Sequence, residues 1–203
     1  MRVLPCGESA LLVELDSLDE VLGYYATLAA DPPAGVVDLV PAARTVMVSI
    51  DLAASSLASL EKVLKATTVR ADRRATGELV EIPVVYDGAD LGDVAELLGC
   101  SEREVVERHT GEEWTVAFCG FAPGFGYLTS GGDWDIPRRS SPRTKVPPGS
   151  IALAAEFSGV YPRESPGGWQ LIGRTSIAVF DLKREPAALL RPGVRVRFAE
   201  VSE

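Results

Sequence analysis

The stretch V-R-V-R-F-A-E-V at residues 194–201 decides the fold of the C-terminal half, because its side chains alternate with a period of two. Apolar residues take one face and arginines the other: Val194, Val196 and Phe198 against Arg195 and Arg197. Such alternation predicts a β-strand with one buried side. Further apolar runs lie between Gly/Pro turns at residues 114–121, 150–155, 169–173 and 177–182. Strands at this regular spacing predict a β-barrel or sandwich.

The N-terminal part of the chain alternates between strand and helix patterns. Four apolar runs predict strands at residues 10–15, 36–40, 45–50 and 79–86. Helical spacing follows Ser17 and Ser55, so the order is strand, helix, strand, strand, helix, strand, which is typical of a ferredoxin-like unit. We therefore predict an α+β protein, with a small ferredoxin-like domain at residues 1–80 and a β-barrel domain at residues 81–203.

Composition and charge exclude several classes of protein. The chain has 203 residues, 46% of them hydrophobic, and its net charge of −9 disfavours nucleic acid and anionic membranes as partners. No run approaches the roughly 18 apolar residues of a membrane span. The three cysteines, Cys6, Cys100 and Cys119, lack C-x-x-C spacing and argue against a disulfide framework. A cytoplasmic protein is the simplest interpretation.

The common catalytic motifs are absent from the sequence. There is no G-x-x-x-x-G-K-[ST] phosphate loop, no G-x-S-x-G nucleophile elbow and no H-E-x-x-H zinc motif. A single histidine, His109, cannot build a multi-histidine metal site, so we expect no metal. His109 shares a helical face with Val105 and Val106, which favours a core position, and catalysis is the alternative because its pKa is ordinarily near neutrality.

Three segments stand out from this background. The first, F-C-G-F-A-P-G-F-G-Y-L at residues 118–128, interleaves glycines with aromatic residues and predicts either apolar walls for a small ligand or a structural turn. The second, residues 137–149, carries Arg138, Arg139, Arg143 and Lys145. It predicts either anion binding or a solvated loop that could also dock an acidic partner. The third, residues 161–175, places Trp169 beside Gln170 on a strand.

Together the three segments resemble the PxpB/KipI family, whose members are also labelled allophanate hydrolase subunit 1. The strings are G-F-A-P-G-F-G-Y-L, P-R-R-S-S-P-R-T-K-V-P-P-G-S and G-V-Y-P-R-E-S-P-G-G-W-Q-L-I-G-R-T. The family is similar to half of the carboxyltransferase domain of urea carboxylase. The resemblance implies that the barrel is cyclophilin-like.

The resemblance also implies a function. Such a chain is expected to join a PxpC-like subunit and a PxpA-like subunit in a 5-oxoprolinase, which opens 5-oxo-L-proline to L-glutamate using ATP at the level of the complex. Allophanate hydrolysis is the older label and has less support, because the chain lacks a nucleophile motif for amidase chemistry. A non-catalytic inhibitor of a sensor histidine kinase is the alternative.

The family motif positions give the candidate site residues. The substrate-binding candidates, with Lys145 added from the basic segment, are Gly120, Phe121, Pro123, Gly124, Tyr127, Arg143, Lys145 and Gln170. His109 also matches a family histidine and is the catalytic candidate. Gly126 departs from the pattern, because relatives often carry proline there.

Overall fold

A computed structural model describes residues 1–69 and 78–202 of the chain. Contacts within the chain divide it into two compact units, Met1–Thr76 and Gly77–Glu203. The sequence placed the boundary at residues 80 and 81, inside a strand that in the structure belongs entirely to the second unit. No helix among the described residues is long and apolar enough to cross a membrane.

In the first unit, residues 1–69 form a four-stranded antiparallel sheet with two helices. Its elements are β1 (Arg2–Cys6), β2 (Ala10–Glu14), α1 (Leu18–Ala30), β3 (Val36–Pro41), β4 (Thr45–Ile50) and α2 (Leu57–Ala66). The strand order in the sheet is β1-β2-β4-β3. Buried residues of the sheet and of both helices form its core, including Val13, Val48, Val21 and Leu64.

The predicted ferredoxin-like arrangement is not confirmed for this unit. A first strand, β1, precedes the expected one, and the strand expected to complete the sheet pairs instead within the second unit. The sequence did not predict β1 because most of its side chains are exposed, so the strand has no alternating apolar face. The partner of the later strand lies more than a hundred residues away, and local patterns do not specify such a pairing.

The described residues of the second unit, 78–202, form two helices and nine strands. Its elements are β5 (Leu79–Val84), α3 (Leu91–Leu98), α4 (Glu102–Gly111), β6 (Trp114–Cys119), β7 (Gly126–Thr129), β8 (Arg143–Val146), β9 (Ser150–Ala154), β10 (Phe157–Val160), β11 (Ser165–Gly167), β12 (Gln170–Arg174) and β13 (Arg195–Glu200). Seven strands form one sheet in the order β12-β9-β10-β7-β6-β13-β5, and β11 pairs separately with β8.

One predicted strand of this unit is wrong. Residues 177–182 form no strand, and only a single bridge joins Phe180 to Ala188. The run looked apolar, but Leu182 at its end is 83% exposed, so the segment does not present a continuous buried face. The alternation at residues 194–201 is confirmed as β13, with Val196 and Phe198 buried.

Backbone hydrogen bonds between its two outer strands nearly close the sheet into a barrel. Val85 and Arg174 exchange two backbone hydrogen bonds of 2.9 Å, and the amide of Asp90 donates to the carbonyl of Leu171 at 2.9 Å. A side chain on Gly173 would place Cβ 2.6 Å from the carbonyl oxygen of Val85, closer than Cβ atoms approach in proteins. We call this junction the barrel seam.

Candidate functional site

Seven aromatic side chains form one connected cluster on the β6-β7-β10 side of the barrel. Their ring centroids lie 4.4–6.2 Å apart, mostly in edge-to-face pairs, a favoured geometry for aromatic rings. The members of this aromatic cluster are Phe118, Phe121, Phe125, Tyr127, Phe157, Tyr161 and Trp169. Most are buried, but Phe121 is 58% exposed. The glycine-aromatic loop thus supplies an apolar surface that reaches the solvent.

The loop between β6 and β7 holds Phe121 in a strained conformation. Its backbone φ is 66°, in the left-handed region that is costly for a residue with a side chain. Hydrogen bonds fix the turn around it: Gly120 N–H donates to the Phe125 carbonyl and Phe125 N–H to the Ala122 carbonyl. Strain of this kind costs about 1–3 kcal/mol and concentrates at functional sites. The observation favours a binding role for this loop.

Gly124 has the packing role that only glycine can take here. Its φ is 83°, and a Cβ atom would collide with the side chain of Phe180. Gly126, the departure from the family pattern, opens β7, and its Cβ would lie 3.0 Å from Leu190 Cβ. Pro123 is exposed beside Gly124 in the same turn.

A buried carboxylate, that of Asp90, holds the basic segment against the barrel seam. The side chain of Asp90 is 1% exposed. Arg143 donates hydrogen bonds to it from both terminal nitrogens, from Nη1 to Oδ2 at 2.8 Å and from Nη2 to Oδ1 at 2.7 Å. Arg139 also donates to Oδ1. The backbone N–H of Leu171 donates to Oδ2 at 2.7 Å. We call Asp90, Arg139, Arg143 and the Leu171 amide the carboxylate anchor.

The anchor keeps Asp90 ionised. Burial by itself would raise the pKa of the Asp90 carboxyl, but the hydrogen bonds from Arg143 and Leu171 and the charges of both arginines outweigh it. The net effect holds the pKa of Asp90 below its ordinary value. Asp90 occupies the N-cap position before α3, but its side chain makes no capping hydrogen bond.

The structure gives the two predicted cationic ligands different surroundings. Arg143 was predicted to bind substrate, and one N–H of each terminal nitrogen is already committed to Asp90. Lys145 lies two residues along β8, is 74% exposed and pairs with Glu164 at 3.2 Å. Their roles in substrate binding stay predictions.

Gln170 lies between the basic segment and the aromatic cluster. It is 6% exposed, and its Nε2 donates to the carbonyl of Pro137 at 3.2 Å. Its Oε1 is buried and has no hydrogen-bond partner among the described residues. Gly120 lies in the loop between β6 and β7, and Tyr127 lies on β7. The structure therefore brings together all the predicted substrate-binding residues except Lys145 around the basic segment and the aromatic cluster.

His109 lies apart from that assembly, within the barrel core. It is 0% exposed; its Nδ1 lies 2.7 Å from the Tyr86 hydroxyl, and its Nε2 lies 2.9 Å from Ser158 Oγ. The ring stacks on Phe198 at 4.3 Å. Burial lowers the pKa of His109 to about 3, so the ring is neutral at physiological pH. These contacts match the core position that the sequence favoured, and the catalytic role stays a prediction.

Sequence reasoning missed three residues of the assembly. None of Asp90, Arg138 and Tyr161 was a candidate, and Arg138 was only one cation among several in the basic segment. Which arginine pairs with which acidic residue needs the tertiary fold to interpret. No group of three or more His, Cys, Asp or Glu side chains within residues 1–69 and 78–202 could hold a metal ion.

The chain matches the family described as carboxyltransferase domain, subdomain C and D, over residues 1–190, and it belongs to that family. Two curated relatives narrow the comparison, and both are named as the same subunit of 5-oxoprolinase. The protein of Escherichia coli O157:H7 is 39% identical over 97% of this chain and 94% of its own length. The protein of Bacillus subtilis (strain 168) is 35% identical over 97% of this chain and 91% of its own length. The resemblance to the PxpB/KipI family is thereby confirmed.

Solved structures support the same fold. The protein TTHA0988 superposes with a TM-score of 0.77 at 36% identity, over 96% of this chain and 40% of that one. This chain therefore spans about two fifths of that longer protein. The urea carboxylase of Kluyveromyces lactis gives a TM-score of 0.75 at 17% identity, over 98% of this chain and 22% of the enzyme, and this likeness shows the fold alone.

The carboxylate anchor predicts unequal effects of two substitutions on the same strand. Arg143→Ala should lower the free energy of unfolding by about 2–3 kcal/mol, since it leaves a buried carboxylate short of its main partner, although Arg143 itself is 23% exposed. Arg143→Lys keeps the charge but loses the bidentate contact, so it should lower the free energy of unfolding by less than Arg143→Ala does. Chemical denaturation measures both.

Lys145→Ala is the matched control, because Lys145 also pairs with a carboxylate but in solvent. The Lys145→Ala substitution should lower the free energy of unfolding by no more than about 1 kcal/mol. Equal stability of the Arg143→Ala and Lys145→Ala variants would contradict the anchor.

The buried histidine predicts a pH dependence of stability. Because the folded pKa of His109 lies near 3 and the unfolded value near 6.5, the unfolded chain binds the extra proton between those values. Stability should therefore be intact above pH 6.5 and fall by about 2 kcal/mol between pH 6.5 and pH 5. Since His109 is the single histidine of the chain, His109→Gln should remove this slope.

Denaturation of both proteins between pH 5 and pH 8 checks this expectation. If the variant folds poorly, the imidazole signal of the unmodified chain serves instead, because it should not titrate between pH 5 and pH 8. A titration midpoint near 6.5 in the folded chain would show that the ring is accessible to solvent.

Proposed function

We propose that the chain is a subunit of a 5-oxoprolinase, a hydrolase that opens 5-oxo-L-proline to L-glutamate with ATP. The observation that carries the proposal is the match, over nearly the whole chain, to two proteins named as a 5-oxoprolinase subunit. Those relatives are themselves about the length of this chain, so the likeness involves whole subunits rather than one shared domain.

The chain is proposed to work only with partners. The name of the relatives speaks of a subunit, and TTHA0988 carries this fold within a chain about two and a half times as long. We propose a PxpC-like and a PxpA-like subunit as the partners. The described residues also offer exposed apolar side chains that an interface could cover, with Phe121 at 58% and Leu182 at 83% exposure.

The aromatic cluster and the neighbouring basic segment are proposed to bind the small substrate. 5-Oxoproline is a flat lactam ring with one carboxylate, so it needs an apolar surface next to a cation. The cluster provides the surface and the basic segment provides the cations. Gln170, between the two, adds a buried carbonyl oxygen without a donor, which an N–H group of a ligand would satisfy after a small shift.

ATP is proposed to bind to a partner subunit. Phosphate groups favour helix N-termini with free N–H groups and no competing negative charge. In the second unit, Asp90 precedes α3, and the carboxylate of Glu104 closes a capping box with Ser101 at the start of α4. Both N-termini therefore already carry a carboxylate, which is unfavourable for a triphosphate.

Reconstitution tests the proposal. The chain, a PxpC-like protein and a PxpA-like protein should be purified separately and assayed for ATP-dependent release of glutamate from 5-oxo-L-proline. We expect no turnover from this chain alone, turnover from the three together, and its loss when this chain is left out. The last mixture is the control for activity contributed by the partners.

Two results would contradict the proposal. Ring opening by the pure chain would show that partners are unnecessary. An inactive three-component mixture in which the proteins co-elute would show that the complex has another activity, and inhibition of a sensor histidine kinase would then be assayed with the same preparation.

A further inference from the structure

Arg138 lies at a defined place between the carboxylate anchor and the aromatic cluster. The residue before it, Pro137, accepts a hydrogen bond from the side chain of Gln170 at 3.2 Å. The residue after it, Arg139, donates its backbone N–H to the carbonyl of Gly168 at 2.8 Å. Because both neighbours are tied to the residues that flank Trp169, Arg138 is held alongside Trp169.

Arg138 and Arg139 are neighbours that differ in exposure: Arg138 is exposed and Arg139 is partly buried. Arg139 turns inward to the buried carboxylate of Asp90. Arg138 therefore lies at the surface and takes no part in the carboxylate anchor.

Arg138 differs from the other cations of the basic segment in having no carboxylate partner among the described residues. Arg139 and Arg143 pair with Asp90, and Lys145 pairs with Glu164. The guanidinium of Arg138 keeps all of its N–H donors available to a ligand.

Two tyrosines of the aromatic cluster complete the surroundings of Arg138. Tyr127 packs against Trp169 with ring centroids 5.5 Å apart, and Tyr161 packs against Phe125 at 5.3 Å. Burial raises the pKa of both tyrosines, and the nearby positive charge of Arg138 offsets this only in part. Both hydroxyl groups therefore stay protonated at neutral pH and can donate hydrogen bonds.

We propose that Arg138, together with the hydroxyl groups of Tyr127 and Tyr161, forms a binding site for a small carboxylate whose apolar part rests on the aromatic cluster. A guanidinium fork matches a planar carboxylate, and a single unpaired cation matches a single negative charge better than a triphosphate. That the occupant is 5-oxo-L-proline rests on the proposed function, whereas the site itself does not.

Binding measurements on the full chain test the site with two probes that differ by one group. 5-Oxo-L-proline carries the carboxylate, and 2-pyrrolidone is the same lactam ring without it. Arg138→Ala should raise the Kd for 5-oxo-L-proline about tenfold, and the Kd of Arg138→Lys should lie between those of the parent chain and Arg138→Ala. The Kd for 2-pyrrolidone should not change. Added salt should weaken the binding of 5-oxo-L-proline more than the binding of 2-pyrrolidone.

Arg197→Ala is the matched control, because Arg197 is an exposed arginine on β13 and has no ion-pair partner among the described residues. It should leave both Kd values unchanged. Thermal unfolding of each variant should match the parent chain, since neither arginine makes an ion pair that folding would lose.

The same variants in the reconstituted three-subunit complex separate this inference from the proposed function. A rise in KM for 5-oxo-L-proline of about tenfold in Arg138→Ala, with Arg197→Ala unaffected, supports the site even if the chain alone binds too weakly to measure. Carboxylate binding that depends on Arg138 in a complex without 5-oxoprolinase activity would support the site and overturn the function.

Two results would overturn the site. One is an active complex whose KM is unchanged by Arg138→Ala. The other is the absence of any Arg138-dependent carboxylate binding both in the chain and in the complex.

Discussion

The second unit depends on the ionised carboxylate of Asp90, buried to 1% exposure at the barrel seam. A buried charge is costly unless hydrogen-bonded partners surround it, so the fold must supply them. Arg139 and Arg143, both from the basic segment, and the amide of Leu171, on β12, do so. One carboxylate thus joins the start of α3, the basic segment and β12.

This constraint also explains the arrangement of the candidate site. Anchoring Arg139 and Arg143 inward holds the basic segment in place, and its hydrogen bonds to Gly168 and Gln170 leave the exposed Arg138 beside Trp169. Trp169 is itself a member of the aromatic cluster, whose other rings lie on β6, β7 and β10 and the loops next to them. Because the backbone on both sides of Arg138 is hydrogen-bonded in place next to the aromatic cluster, the chain needs little rearrangement when a ligand binds there, which favours affinity for small molecules.

Much of the fold was predictable because it rests on local patterns. The alternation in residues 194–201 specifies one strand, and the structure confirms it as β13. β1 was not predictable, since a mostly exposed strand carries no apolar period. The pairing of β5 with β13 was not predictable, since the two strands lie more than a hundred residues apart. The segments of the candidate site were recognisable, but the roles of Asp90 and Arg138 depend on which arginine reaches the buried carboxylate.

Hydrogen exchange in Asp90→Asn tests the central claim most directly, with Asp87→Asn as control because Asp87 pairs with Arg174 in a half-exposed bridge. If Asp90 joins the basic segment to the barrel seam, the amides of Leu171 and Arg139 should exchange at least about tenfold faster in Asp90→Asn. Amides of β4, in the first unit, should be unchanged, and the control should resemble the parent chain. Unchanged protection at Leu171 and Arg139 in Asp90→Asn would contradict the account.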